Sequence, residues 1–204
     1  MLSAALQIQG NMEQSLDAAE HAYATDAFLI NAKEIVYRLF YSSFQLERYG
    51  NAASWCDTGR RRFPGDWLFL QCQLTLLIWS PEVHPDVAAA WRVLADISNI
   101  PPDTRGWAAP RLRMMAAGVI ARAGLSDSAE HVIRAARAAG SEDPELLYLE
   151  ALDRVRLSQP DSAVALLAAL LRDSPDFRPY LRRDVQVKAL AHHPGFQRLV
   201  GASP

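Results

Sequence analysis

The sequence predicts an all-α protein, a short superhelix of stacked helical hairpins. It is rich in Ala, the residue with the highest helix propensity, and contains only 10 Gly among 204 residues. The triplet Asp127-Ser128-Ala129 recurs 34 residues later as Asp161-Ser162-Ala163, and repeats of this period are typical of helical hairpin arrays. The sequence lacks the alternating β-branched runs and Asn-Gly turns that indicate strands. We therefore expect helices and no sheet.

The bulk composition is that of a folded protein with little net charge. Half of the residues (50%) are hydrophobic, 22% are charged and the net charge is −2, which argues against disorder. An isoelectric point of about 6.2 argues against a nucleic-acid partner. No apolar run reaches the roughly 18 to 20 residues that span a bilayer, and the N-terminus lacks a signal-peptide pattern. We expect a cytoplasmic protein without membrane insertion.

Residues 1–30 are predicted to form a partial first hairpin. Gly10 marks a turn before a helix that begins near Ser15. In the clearest copy of the repeat, the first helix begins 19 residues before the recurring Ala163. The same offset from Ser15 falls before Met1. We therefore expect this sequence to be the C-terminal part of a longer repeat protein.

Four complete hairpins are predicted to follow. Each contains two helices with apolar residues on one face, joined by a short turn. Asp143-Pro144 is the clearest helix start, because Asp is a good N-cap and Pro suits the first helical turn. The predicted hairpins are residues 32–64, 66–100, 110–141 and 143–175, with Pro101, Pro102 and Pro110 assigned to a loop between the second and the third.

This layout resembles the tetratricopeptide repeat. In that family a small residue lies where the two helices of a hairpin cross, because helix axes packed at about 8 to 10 Å leave no room for a larger one. Ala151 and Ala163 match those places, Leu167 matches the large apolar position one turn on, and Pro175 matches the terminating proline. The family fold implies a right-handed superhelix of about five hairpins. We expect Ala129, like Ala163, to be buried at a crossing.

The resemblance is most specific in residues 32–64 and 110–175. Three charged residues depart from the family pattern, since Glu150, Arg154 and Arg92 stand where the family has apolar residues. Another type of α-hairpin solenoid therefore stays open as an alternative, and so does the register of the affected hairpins.

Residues 178–200 are predicted to cap the superhelix, so that residues 1–204 form one domain. Solenoids need a polar end cap, and this segment is polar. We expect one helix over residues 178–190, followed by His192-His193-Pro194-Gly195-Phe196 and a short turn. A His-Pro-x-Phe tail of this kind is similar to the tail of repeat domains in bacterial signalling proteins, such as transcription regulators and protein kinases.

Sequence motifs for catalysis, cofactors or metals are absent, including the phosphate loop, H-E-x-x-H, G-x-S-x-G and C-x-x-C. We therefore predict no enzyme, no cofactor and no metal. His192 and His193 are interpreted as a helix C-terminus, where imidazole is favoured by the helix dipole. Cys56 and Cys72 are expected to lie close together as two small buried residues rather than as part of a disulfide framework.

Four tryptophans recur every 12 residues, at Trp55, Trp67, Trp79 and Trp91. Because prolines interrupt the helices between them, they do not form one stripe. We interpret most of them as core between hairpins, with one or two in the groove that would hold a ligand.

The predicted function is binding of a protein or peptide by the concave face, which the first helix of each hairpin lines. The Lys/Asn clamp that some relatives use for C-terminal carboxylates is not visible here, so Arg111, Arg113 or Arg156 has to replace it. The alternative is a regulatory or sensory domain of a larger bacterial signalling protein that binds a small molecule or another domain of its own chain. The candidate contact residues are Tyr37, Tyr41, Phe44, Arg111, Arg113, Tyr148, Leu152 and Arg156.

Overall fold

The computed structural model describes residues 2–26, 30–140 and 143–201. Within these ranges the chain is helical and contains no strand, so the prediction of an all-α solenoid is confirmed. None of the described helices is long and apolar enough to cross a membrane. The helices are α1 (Leu2–Ile8), α2 (Met12–Thr25), α3 (Ala32–Gln45), α4 (Tyr49–Arg62), α5 (Trp67–Trp79), α6 (Val87–Ala95), α7 (Pro102–Arg122), α8 (Ser126–Ala139), α9 (Glu145–Arg156), α10 (Pro160–Asp173), α11 (Arg178–Leu181) and α12 (Pro194–Val200).

Consecutive helices pack on each other, and α5, α7 and α9 also pack side by side. Helix α3 packs on α4, α7 on α8 and α9 on α10, while α5 contacts α7 and α7 contacts α9. Phe40 of α3 and Phe69 of α5 share one buried cluster, Leu74 and Leu112 join α5 to α7, and Leu146 lies with residues of α7 and α8. The core therefore runs continuously along the stack.

The small residues that the repeat pattern assigns to helix crossings are buried. Ala129 and Ala163 are 0% exposed, and Ala151 is 1% exposed. A further small residue, Gly118 of α7, has so little room that a Cβ would lie 2.7 Å from Oδ1 of Asp153 on α9. Because the helix axes approach closely here, a larger side chain cannot enter without moving a neighbour.

Four of the hairpin turns share one backbone geometry. In each, one residue has a positive φ and the N–H of the next residue reaches back to a carbonyl in the last turn of the helix, as Leu125 N does to Ile120 O at 3.2 Å. This is the hydrogen-bond pattern of a Schellman turn, which needs the left-handed conformation. The residues with positive φ are Gly10, Glu47, Gly124 and Ser158.

The hairpin of α7 and α8 begins earlier than predicted. Helix α7 starts at Pro102, and Pro110 is buried inside it rather than ending a loop. The Arg105 guanidinium donates hydrogen bonds to Ser98 O and Ile100 O, both at 2.7 Å, and so holds the preceding turn against the helix. The ring of a proline inside a helix clashes with the carbonyl of the residue four positions earlier. For Pro110 that residue is Gly106, which is exposed.

The C-terminal segment is not the single helix that was predicted for residues 178–190. Helix α11 ends at Leu181, and Asp184 then starts a 3-10 turn, Val185–Leu190, by accepting a hydrogen bond from Gln186 N at 3.1 Å.

His193 does not lie at a helix C-terminus as predicted. It is the N-cap of α12, where its Nδ1 accepts a hydrogen bond from Gly195 N at 3.2 Å. Pro194 takes the first position of that helix, and Phe196 is buried. The His-Pro-x-Phe motif is thus a helix start followed by an apolar anchor.

Cys56 and Cys72 form a disulfide between α4 and α5, with their Cα atoms 5.8 Å apart. Their closeness and burial agree with the expectation from the sequence, which did not include a disulfide between them. Both are buried among Phe40, Phe44 and Phe69. The disulfide therefore fastens the second hairpin to the third from inside the core.

Candidate partner-binding groove

The inner face of the stack holds a half-open chamber of about 360 Å³. Every odd-numbered helix from α1 to α9 contributes to its wall, and the C-terminal segment closes it on one side. We call this space the inner chamber. Its lining residues are Gln7, Tyr37, Tyr41, Trp67, Leu68, Gln71, Arg111, Leu112, Met115, Glu145, Leu149, Phe177 and Tyr180.

Three of the eight predicted contact residues line the inner chamber: Tyr37, Tyr41 and Arg111. The two tyrosine rings stack with their centroids 6.4 Å apart. Burial raises the pKa of both phenols well above its usual range, so both stay neutral hydrogen-bonding groups.

The other five predicted residues have different places. Phe44 and Leu152 are buried in the apolar core, with 1% and 5% of their surface exposed. Arg113 is exposed and lies outside the lining of the chamber. The Arg156 guanidinium lies 3.9 Å above the ring of Trp79. Tyr148 is buried as well, and its hydroxyl binds the C-terminal segment of the chain.

That segment crosses the inner face from the last hairpin to the first. We call residues 177–186 the C-terminal strap. Its Tyr180 hydroxyl accepts a hydrogen bond from Tyr41 Oη at 3.1 Å, and its Val185 N donates to Gln45 Oε1 at 3.2 Å. Arg183 reaches the Gln9 carbonyl. The strap therefore connects α9 with α3 and with the end of α1 across the opening.

A buried carboxylate holds the middle of the strap. Asp184 accepts hydrogen bonds from the Tyr148 hydroxyl and from Gln45 Nε2, the latter at 3.1 Å. Burial raises the pKa of the Asp184 carboxyl, and the hydrogen bonds from Tyr148, Gln45 and Gln186 offset part of that rise. The anchor is thus a desolvated acid held by neutral donors.

Arg111 is already engaged at the wall of the chamber. It donates two hydrogen bonds to Asp143, at 2.7 and 2.9 Å, and lies 3.7 Å from a Glu145 oxygen. Its guanidinium also lies 5.0 Å from the centre of the Trp107 ring, which meets Trp67 edge to face. A bidentate pair of this kind fixes the guanidinium in one orientation.

Arg111 is well paired, whereas two side chains at the chamber wall, Gln71 and Glu145, carry acceptor oxygens that are less well paired. Gln71 Oε1 is buried and has no hydrogen-bond partner among the described residues. The Glu145 side chain is 42% exposed and touches Arg111 only at 3.7 Å. Burial raises the pKa of the Glu145 carboxyl, Arg111 lowers it and Asp143 raises it again, with a net rise.

Most of the polar lining and the contacts of the strap were not predicted from the sequence. The 12-residue recurrence of tryptophan was a usable signal, because Trp67 does line the chamber. No comparable sequence pattern indicates the other lining residues Gln71, Glu145 and Tyr180, since each belongs to a different repeat position. In the described part of the chain, no three His, Cys, Asp or Glu side chains are grouped to hold a metal ion.

No protein-family model and no curated protein matches the chain. Among solved structures, the chain is similar to a thermophilic TPR (tetratricopeptide repeat) protein from Thermus thermophilus. The two share 20% identity over 89% of this chain and 93% of that one, with a TM-score of 0.62. The chain therefore has a TPR-like fold.

Proposed function

We propose that the chain is a non-catalytic scaffold that binds a segment of a partner protein along the inner face of its hairpins. One observation carries this proposal. The inner face already holds a polypeptide segment, the chain's own strap, through side chains of α3 and α9: Tyr41, Gln45 and Tyr148.

The composition of the inner chamber suits this role. Its walls combine aromatic and aliphatic surface with a few polar groups, the mixture typical of sites where proteins hold ligands. Trp67, Tyr37 and Tyr41 provide rings of the type that contribute most to binding energy at interfaces. Stacked hairpins offer such a surface as a continuous concave face.

Capture of partners with a matched pair of variants tests the proposal. Tyr37→Ala removes an aromatic wall of the inner chamber, while Trp91→Ala removes an exposed aromatic ring from the even-numbered helix α6. We expect proteins captured by the unmodified chain to be lost with Tyr37→Ala and kept with Trp91→Ala, with both variants folded by circular dichroism. Equal capture by the two variants would contradict the proposal.

The narrower hypothesis, a regulatory domain of a bacterial signalling protein, rests on the His-Pro-x-Phe tail alone. His193 and Pro194 start a helix and Phe196 anchors it, so local packing accounts for the motif. The motif therefore adds no support for a signalling role, and we keep the general scaffold as the proposed function.

The cytoplasmic localisation expected from the sequence is opposed by the disulfide. Structural disulfides persist in oxidising compartments and are rare in the cytosol. Mass spectrometry of the protein from its native cells, alkylated without reduction, tests the localisation. Free thiols at Cys56 and Cys72 would favour the cytoplasm, and a bonded pair an oxidising compartment.

A further inference from the structure

The charge of the inner chamber is opposite to that of a carboxylate clamp. Arg111 is the cation in its lining, and its two hydrogen bonds to Asp143 neutralise it. Glu145 then adds a second negative charge on the same wall. An incoming carboxylate would therefore meet two acidic groups around one cation that is already paired.

Three donors beside the chamber are engaged with the strap. Tyr148 and Gln45 donate to the strap carboxylate Asp184, and Tyr41 donates to Tyr180. At the chamber wall, the Glu145 side chain is 42% exposed and offers its carboxylate oxygens to a ligand. A ligand group that donates hydrogen bonds fits this wall better than one that accepts them.

The aromatic rings point to the same ligand chemistry. Tyr37, Tyr41, Trp67 and Tyr180 surround the chamber, and the negative faces of such rings attract cations, most strongly when water is excluded. The protein makes this contact among its own residues as well, with Arg156 over Trp79 at 3.9 Å and Arg111 over Trp107 at 5.0 Å.

We propose that the inner chamber receives a lysine or arginine side chain of the bound protein segment, with Glu145 as its counter-ion and the surrounding rings as its walls. This inference rests on the proposed function, because it names the chemistry of the segment that the inner face binds. The alkyl stem of the side chain packs on Leu68, Leu112 and Leu149, and its charged end reaches Glu145 and Gln71.

Peptide pools test this inference on the full chain. The pools have random sequence around one fixed central residue, which is Lys, Arg, norleucine or Glu, so that charge varies while the peptide context is averaged. We expect the Lys and Arg pools to bind on the order of tenfold tighter than the norleucine pool, and the Glu pool to bind weakest. Binding of the Lys pool weakens as salt increases, while the norleucine pool changes little.

Glu145→Gln supplies the matched variant, because it removes the charge and keeps the shape. Glu82→Gln neutralises an exposed residue between α5 and α6 that does not line the chamber. We expect the first variant alone to lose the preference for Lys and Arg. If the pools bind without a preference for cations, or if Glu145→Gln keeps that preference, the inference is wrong while the proposed function stands. If no pool binds, the inference is wrong, and capture with Tyr37→Ala and Trp91→Ala decides the proposed function separately.

Discussion

At the residue scale, small side chains set how closely the helices of this protein pack. Ala129 and Ala163 could be assigned to crossings from the sequence, because each opens a helix with the same apolar spacing. Both are fully buried. The positive φ of Glu47 and Ser158 could not be predicted in the same way, because neither is Gly or Asn.

Ala163→Leu should destabilise the fold by about 1 to 3 kcal/mol, since the added atoms overpack the contact between α9 and α10. Ala165→Leu is the control, because Ala165 is an exposed residue of the same helix and has the same intrinsic propensity change. Urea unfolding of both variants measures the difference. Equal midpoints for the two would show that position 163 is not a crossing.

The charged residues that depart from the repeat pattern have a physical explanation. Glu150 is buried and lies between Arg137, at 3.2 Å, and Arg154, at 2.9 Å, while Arg154 also pairs with Glu130. The network joins α8 to α9 through charged groups. Arg92, by contrast, is exposed on α6, so its position never required an apolar residue.

At the scale of elements, the C-terminal strap is the feature that the sequence did not predict. Its hydrogen bonds join residues far apart in the chain, such as Gln45 and Asp184 with a separation of 139 residues. Local periodicity in the sequence does not indicate contacts between such distant elements. Helix α7 was misplaced for a similar reason, because Arg105 and buried packing override the local signal of Pro110.

The strap should give the protein a pH-dependent stability. The pKa of Asp184 is raised above its unfolded value of 3.8, so its contribution is fully present below pH 3.8 and is lost as pH rises through the raised pKa. The pKa values of Glu145 and Asp153 are raised as well. Asp184→Asn removes the titration of Asp184 alone. We therefore expect the difference in unfolding free energy between the parent and this variant to change between pH 3.8 and the raised pKa of Asp184.

Urea unfolding of the parent and Asp184→Asn, measured from about pH 3.5 to pH 7, checks this expectation. Compared with the parent, the variant should be less stable at acidic pH, where Asp184 of the parent is protonated. Toward neutral pH the variant should gain stability relative to the parent. A difference between the two proteins that does not vary with pH would show that burial against Gln45 and Tyr148 does not raise the pKa of Asp184.

The disulfide between α4 and α5 should contribute to the stability of the stack. Closing a loop with a sequence separation of 16 residues stabilises a protein by about 3 kcal/mol in the chain-entropy model. The double variant Cys56→Ala, Cys72→Ala should therefore unfold at a lower urea concentration than the oxidised parent. Added reductant should bring the parent close to the variant and leave the variant unchanged. Loss of stability in both on reduction would contradict this account.

At the scale of the whole molecule, the strap turns an open concave face into an inner chamber. The fold class could be predicted because the repeat period and the helix starts are local properties of the sequence. The chamber could not be predicted, because its wall takes a few residues from each of several odd-numbered helices and its closure comes from the C-terminus. Binding chemistry thus emerges only from the assembled stack.

The central claim is that partners bind the inner face rather than the outer helices. Hydrogen–deuterium exchange of the free chain and of its complex with a captured partner tests this directly, because bound surfaces become protected. The account predicts added protection in α3, α5, α7, α9 and the strap, with little change in α4, α6 and α8. Protection confined to the even-numbered helices would contradict it.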